Sequence, residues 1–216
     1  MDETMKLKSF AGKLGVDLFG VADLKRLQGL PVGMGGDPAG LTSKFRYAIV
    51  LGAQLNKLGE KATGIDVDFF LEKAAMQISA YLEKKEDRAL IIHPEDELDP
   101  VRRLGLLSLK VLAKAAGLGW QGRSLLIVSP EYGPVHRWIA VLTNLDLQPG
   151  KPLANRCGDC TLCIDQCPQG ALTYVSFADH PDRREDVLDI QTCKGDDSCR
   201  VCLEVCPWQR SFGGGA

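Results

Sequence analysis

Apolar positions along the first 150 residues fall into stretches of differing period. Leu7, Phe10, Ala11 and Leu14 are spaced by three and four, predicting a short opening helix closed by Gly15. Residues 16–22 and 47–51 are compact apolar runs and predict buried strands. Between them, residues 28–45 are rich in Gly and Pro and predict an irregular loop. Val67, Phe70, Leu71, Ala74, Ala75, Ile78 and Leu82 mark one face of a long amphipathic helix, and a strand is expected over 88–93. Pro100 then opens a further helix, where its missing N–H is no loss, running through Leu104, Leu107, Val111 and Leu112 to Gly117. Residues 124–129 and 138–143 read as strands joined by the turn of residues 130–134, a candidate hairpin. The pattern predicts a mixed sheet carrying helices, that is, an α+β fold or α/β sandwich.

This patterning stops near residue 150. Gln-Pro-Gly-Lys-Pro over 148–152 reads as a linker, and all eight cysteines lie between Cys157 and Cys206. Two units follow, an α/β domain over 1–150 and a cysteine module over 151–216, whose Gly-rich end at 211–216 carries no chemistry.

Cys157, Cys160, Cys163 and Cys167, followed by Pro168, have the x2, x2, x3 spacing of the bacterial ferredoxin run. Three thiols at short intervals let one loop wrap three corners of a cubane, while the fourth lies beyond reach and ligates the neighbouring cluster. Cys193, Cys199, Cys202 and Cys206, followed by Pro207, repeat the pattern with a longer first gap. Crossed ligation then predicts two [4Fe–4S] clusters, one on Cys157, Cys160, Cys163 and Cys206, the other on Cys167, Cys193, Cys199 and Cys202. Cys193 is the least secure of these because of its five-residue gap. Zinc in paired C-x2-C units leaves the third cysteine and the Cys-Pro ending unexplained, and x2 pairs are poor disulfide geometry.

Two glycine patterns invite a nucleotide reading. Residues 117–122 match G-x-G-x-x-G, but they follow a helix and lead into a strand, the reverse of a dinucleotide site, so a helix end and tight turn is the expectation. Residues 33–40 have Pro38 where a third glycine belongs and are expected to be a loop. His93, His136 and His180 show no ligand spacing, with His136 read as a solvated strand start, and the tryptophans read as packing residues. A formal charge of −2 argues against nucleic acid as a partner. With no export-type leader and no apolar run of about 20 residues, a cytoplasmic protein without a membrane span is expected.

Several segments together resemble the epoxyqueuosine reductases. They are residues 14–22, residues 115–133 (Ala-Ala-Gly-Leu-Gly-Trp-Gln-Gly-Arg-Ser onward), residues 159–168 and residues 202–209. That family shares a core with the corrinoid-dependent reductive dehalogenases, and the chain is most similar to its short iron–sulfur members, which lack the C-terminal helical-repeat region. The resemblance implies a nitroreductase-like α/β domain, a two-cluster ferredoxin-like module, and base-off cobalamin between them. It implies corrinoid contacts, largely through backbone, at Gly119, Gly122, Ser124, Ser129, Tyr132 and Gly133. The family's acidic proton donor lies upstream of the Gly-Leu-Gly-Trp segment. Its ungapped equivalent here is Arg103, with Asp99 one helical turn earlier as the available carboxylate or, alternatively, an ordinary helix-start residue.

The preferred expectation is an oxidoreductase taking electrons from a ferredoxin or flavodoxin and passing them to a corrinoid, for a small-molecule or protein acceptor. The alternative is an electron-transfer protein with no substrate of its own, whose α/β domain docks a partner.

Overall fold

The long amphipathic helix forms as α3 (Gly64–Glu83), and Thr63 and Asp66 close a reciprocal capping box at its start. This is a computed structural model, and it describes residues 2–28, 37, 39–59, 62–94, 97–99, 101, 103–195 and 198–209, without the side chains of residues 97 and 98. The expected features at residues 33–36, Pro38, Pro100 and 211–216 lie outside the described residues.

Four strands make the main sheet: β1 (Leu18–Asp23), β2 (Tyr47–Gln54), β3 (Ala89–Ile92) and β8 (His136–Thr143), in the order β1-β2-β8-β3. Every neighbouring pair is antiparallel, so the sheet is not mixed in direction as expected. Side-chain alternation sorts β8 into two cores. Ile139 and Val141 join the layer under α3 and α1 (Glu3–Lys13), while Trp138, Ala140 and Leu142 join the layer under α4 (Leu109–Ala115). Central β2 is covered on both faces, which is why its sequence reads as a continuous apolar run. The result is a three-layer sandwich of helix, sheet and helix. The loop between β1 and β2 contains one helical turn, α2 (Leu41–Lys44), inside the segment expected to be irregular.

Two expectations fail. The helix from Pro100 is instead a small hairpin, β4 (Glu97–Asp99) with β5 (Leu104–Gly105), followed by the shorter α4. Arg103 turns this hairpin with a positive φ of 49°, and Ser108 accepts a hydrogen bond from the Val111 N–H, setting the helix start there. Asp99 therefore ends a strand and is not a helix-start residue. The second failure is the hairpin expected between 124–129 and 138–143. Short β7 (Ile127–Val128) pairs with β6 (Trp120–Gln121), while β8 pairs with β2 and β3.

The glycine pattern at 117–122 is the helix end and turn expected of it. Gly117 has φ 77°, its N–H donates to Lys114 O, and Leu118 N–H donates to Ala113 O, a Schellman-type closure of α4. The segment expected to be a linker lies on the sheet edge, where Gly150 N–H donates to Val21 O at 2.8 Å.

Candidate metal centre

The two cysteine runs fold as a structural repeat. α5 (Leu162–Asp165) and α6 (Val201–Glu204) are single helical turns, and the residues before them, Thr161 and Arg200, share nearly the same backbone angles. Thr161 O accepts from Ile164 and Asp165 N–H, as Arg200 O does from Leu203 and Glu204 N–H. After each final cysteine the chain reverses in the same way: Gly170 N–H donates to Cys167 O, and Gln209 N–H to Cys206 O. Cys160, Cys163 and Cys167 thus correspond to Cys199, Cys202 and Cys206.

The entries to the two runs differ. Asn155 Oδ1 accepts from Cys157 N–H, and Gly158, with φ 53°, lets Cys160 N–H reach back to Cys157 O. In the second run Asp189 gathers the Gln191 and Thr192 N–H groups and the Thr192 hydroxyl, and its backbone carbonyl accepts from Cys193 N–H. Those bonds hold the Asp189 carboxyl below its usual range, the Thr192 hydroxyl contributing most. The longer gap is therefore anchored at its start.

All eight thiols are unpaired and half-buried. Burial, then the neighbouring Cys157, Cys202, Cys206 and Cys160, pushes the Cys163 thiol up to about 12. Burial, then Cys193, Cys199 and Cys167, pushes Cys202 up to about 11. Cys206 is raised by burial first, with Cys157 and Cys160 as its cysteine neighbours. Cys163 has neighbours from both expected groups, Cys202 among them, and Cys193 lies near Cys202 despite its gap. One tetrahedral metal ion needs four sulfurs about 3.8 Å apart, and no group among the described residues closes that tightly. A cubane spreads its ligands over four irons and has no such need. The donor set fits iron–sulfur clusters: eight free thiols, of which Cys163, Cys202 and Cys206 are costly to ionise until a cation takes the proton's place.

The module meets the sheet domain at several places. Leu203 and Cys202 pack with Leu55, Leu126 and Val135 in a small apolar cluster. Trp208 stacks edge-on against buried Trp120, with ring centroids 4.8 Å apart. Gln191 Nε2 donates to Val101 O, and Arg103 lies beside Gly195, bringing the tip of the β4–β5 hairpin onto the loop after Cys193. Asp99 stands next to the turn of that hairpin, paired with Leu104.

At four of the six expected corrinoid contacts the chain packs closely against itself. A Cβ on Gly119 would lie 2.4 Å from Val128 O, and one on Gly133, where φ is 65°, would lie 2.6 Å from the Trp208 carbonyl. Gly122 backs onto Val128 and Cys157. Ser129 is fully buried, its backbone and hydroxyl spent on Gly133 O and Tyr132 N–H. Ser124 and Tyr132 remain half-buried.

Two residues had no sequence signal. His136 is buried, not solvated: its ring lies 4.3 Å from that of Trp138, and neither ring nitrogen has a hydrogen-bond partner among the described residues. Burial pushes its pKa down to about 4. Arg123 lies buried in the β6–β7 turn with its guanidinium inside the cysteine module.

With this geometry established, likeness to known proteins can be stated. Residues 156–209 match the 4Fe-4S dicluster domain. Over most of its length, the chain resembles epoxyqueuosine reductases. That of Bacillus cereus is 34% identical over 127 residues, 56% of this chain and 32% of that protein. That of Staphylococcus aureus is 29% identical over 201 residues, 87% of this chain and 46% of that protein. The chain thus spans less than half the length of these two relatives. Among solved structures, an epoxyqueuosine reductase with a tRNA-Tyr epoxyqueuosine-modified stem loop superposes with a TM-score of 0.66 at 23% identity, covering 94% of this chain and 64% of that one. A reductive dehalogenase described as B12-dependent gives 0.70 at 17%, covering 95% and 31%. These neighbours share the fold. Among the described residues no helix is long and apolar enough to cross a membrane.

Proposed function

We propose that this chain is an iron–sulfur oxidoreductase, carrying two [4Fe–4S] clusters with crossed ligation beside a nitroreductase-like α/β domain. The observation that carries this reading is the match of residues 156–209 to the 4Fe-4S dicluster domain, together with eight free thiols on two loops that fold as a repeat. When bound, such clusters pass electrons one at a time. The protein's own part is to set the thiols in place, release their protons on assembly, and keep water away with Leu55, Leu126, Val135 and Leu203 on one side. The donor is a low-potential carrier such as a ferredoxin or flavodoxin, and the setting is cytoplasmic.

The electron acceptor divides two readings. Likeness to the epoxyqueuosine reductases and to a B12-dependent dehalogenase supports a corrinoid between the domains, with Asp99 as proton donor. However, Gly119, Gly122 and Gly133 each pack against the chain on the side a Cβ would occupy, and Ser129 spends its hydroxyl within the chain. That packing favours the second reading, an electron-transfer protein whose α/β domain docks the acceptor.

Anaerobic reconstitution tests both levels. About eight irons per chain and two reducible cubane signals are expected; four or fewer irons sink the two-cluster reading. Titration with cob(II)alamin then separates the acceptors. A changed cobalamin spectrum supports the corrinoid and, with it, loss of turnover in Asp99→Asn. An unchanged spectrum in fully loaded protein leaves the docking reading.

A further inference from the structure

Arg123 makes three hydrogen bonds across the border between the two units. Its Nη1 donates to the carbonyls of Val175 and Phe177 at 3.1 and 3.2 Å, and its Nη2 to that of Gly158 at 2.8 Å. The rings of Phe177 and Tyr174 lie 4.7 and 5.4 Å from its Cζ. The residue is 6% exposed, and its Nε has no partner. No carboxylate among the described residues pairs with it.

A buried cation without a counter-ion is costly, and three carbonyls and two ring faces offset only part of that cost. The missing negative charge has an evident source. Gly158, whose carbonyl the guanidinium holds, directly follows Cys157. Gly122, the residue before Arg123, lies so close that a Cβ there would be 3.7 Å from Cys157 Sγ. A cubane on four thiolates is a dianion when oxidised and gains a further negative charge on reduction.

Resting on the two-cluster reading, we propose that Arg123 is the counter-charge of the cluster held by Cys157, Cys160, Cys163 and Cys206, and that it raises that cluster's reduction potential. The electron comes from the low-potential carrier and stays on the cluster; no bond forms or breaks. The positive charge is worth more to the reduced state, which carries the extra negative charge, so reduction of this cluster is easier with Arg123 than without it. Arg123 is thus a positioning residue that acts on this cluster's potential through its charge.

The test is a redox titration, followed by EPR and visible spectra, of the full chain reconstituted anaerobically as wild type, Arg123→Gln and Arg123→Lys, with iron counted in each. In Arg123→Gln the reduction equilibrium of one couple should fall at least tenfold, about 59 mV for a one-electron couple. The couple that falls should be the one abolished by Cys206→Ser, while the other stays put. Arg123→Lys, which keeps the charge and loses part of the hydrogen bonding, should stay near wild type. A fully loaded Arg123→Gln protein with both couples unchanged would overturn the proposal, as would an Arg123→Lys protein that falls as far as Arg123→Gln. Should Arg123→Gln fail to hold the cluster, Arg123→Lys decides. A full iron complement at the wild-type potential supports the counter-charge, and loss of the cluster there too reduces Arg123 to a clamp. Wild-type protein that takes up no iron would overturn the cluster reading itself, and this inference with it.

Discussion

In the sheet domain, β2 and β8 each bury all but one of their residues between two apolar layers. In the module, over 151–209, only Ala171, Leu172, Pro181, Val187 and Leu203 are buried among the described residues. Its regular structure amounts to two helical turns, one 3₁₀ turn at Arg184–Asp186, and the single bridge between Leu172 and Leu188. A segment of this length cannot offset its conformational entropy with so little apolar burial. What one half obtains from side-chain packing, the other must obtain from metal–thiolate bonds. In such a unit ligand binding and folding are one event.

Iron removal is the most forceful way to break this comparison. A chelator under reducing, anaerobic conditions should abolish amide hydrogen-exchange protection between Cys157 and Cys206, while the amides of β2 and β8 stay protected. Slow exchange throughout the apo module would mean that packing alone holds it.

Next in size are the cysteine replacements. Cys157→Ser and Cys206→Ser should each cut the iron content by about half, and together they should remove no more than either alone, because both serve one cluster. Cys202→Ser with Cys206→Ser should remove both clusters. If instead this adjacent pair behaves as one unit and the distant pair does not, ligation is local and the repeat has been misread.

His136 sharpens the comparison from the other side, since its ring depends on packing and not on iron. Unfolded, it titrates near 6.5; folded, near 4. As pH falls through that window the unfolded chain takes up a proton that the folded one refuses. Sheet-domain stability should drop by about 3 kcal/mol in total, level off below pH 4, and be fully present above 6.5. Replacing His136 with Phe keeps a ring against Trp138 and removes the titration. Urea midpoints read by tryptophan fluorescence, compared pairwise with wild type, should lose that part of the pH dependence. Equal slopes in both proteins would show the ring to be reached by water.

The sequence was most legible where one physical requirement governs each residue. Helix period gave α3, apolar runs gave β1, β2 and β8, and ferredoxin spacing picked out the segment that matches the 4Fe-4S dicluster domain, since iron coordination permits few alternatives. It was least legible around residues 97–108. There Leu104 and Leu107 fit a helical face, but Arg103 at φ 49° and the Ser108 cap divide the segment into hairpin and helix. Gly119 and Gly133 were legible as glycines with a purpose, but not as to which: close approach of a cofactor and close approach of one's own backbone leave the same mark. Arg123 left no mark, because a lone arginine between Gly122 and Ser124 becomes informative only once Gly158 and Val175 are brought to it from far along the chain.

The smallest expected effect concerns the outer surface of the sheet domain. Glu3 on α1 accepts hydrogen bonds from Tyr81 and Lys6 at 2.6 and 3.1 Å and pairs with Lys85 at 2.8 Å, tying α1 to α3. Lys85 first, then Tyr81 and Lys6, hold its carboxyl down to about 2 from an ordinary 4.5. Because the folded value is the lower one, the network's contribution is present above pH 4.5 and is lost as pH falls toward 2. Solvent screens these groups, so Glu3→Gln should cost about 1 kcal/mol or less at pH 7. The gap from wild type should shrink in high salt and close in acid. A gap that persists in both would assign the loss to the geometry of the Tyr81 hydrogen bond rather than to charge. The tie between α1 and α3 would then rest on the same kind of fixed packing as the rest of the sheet domain.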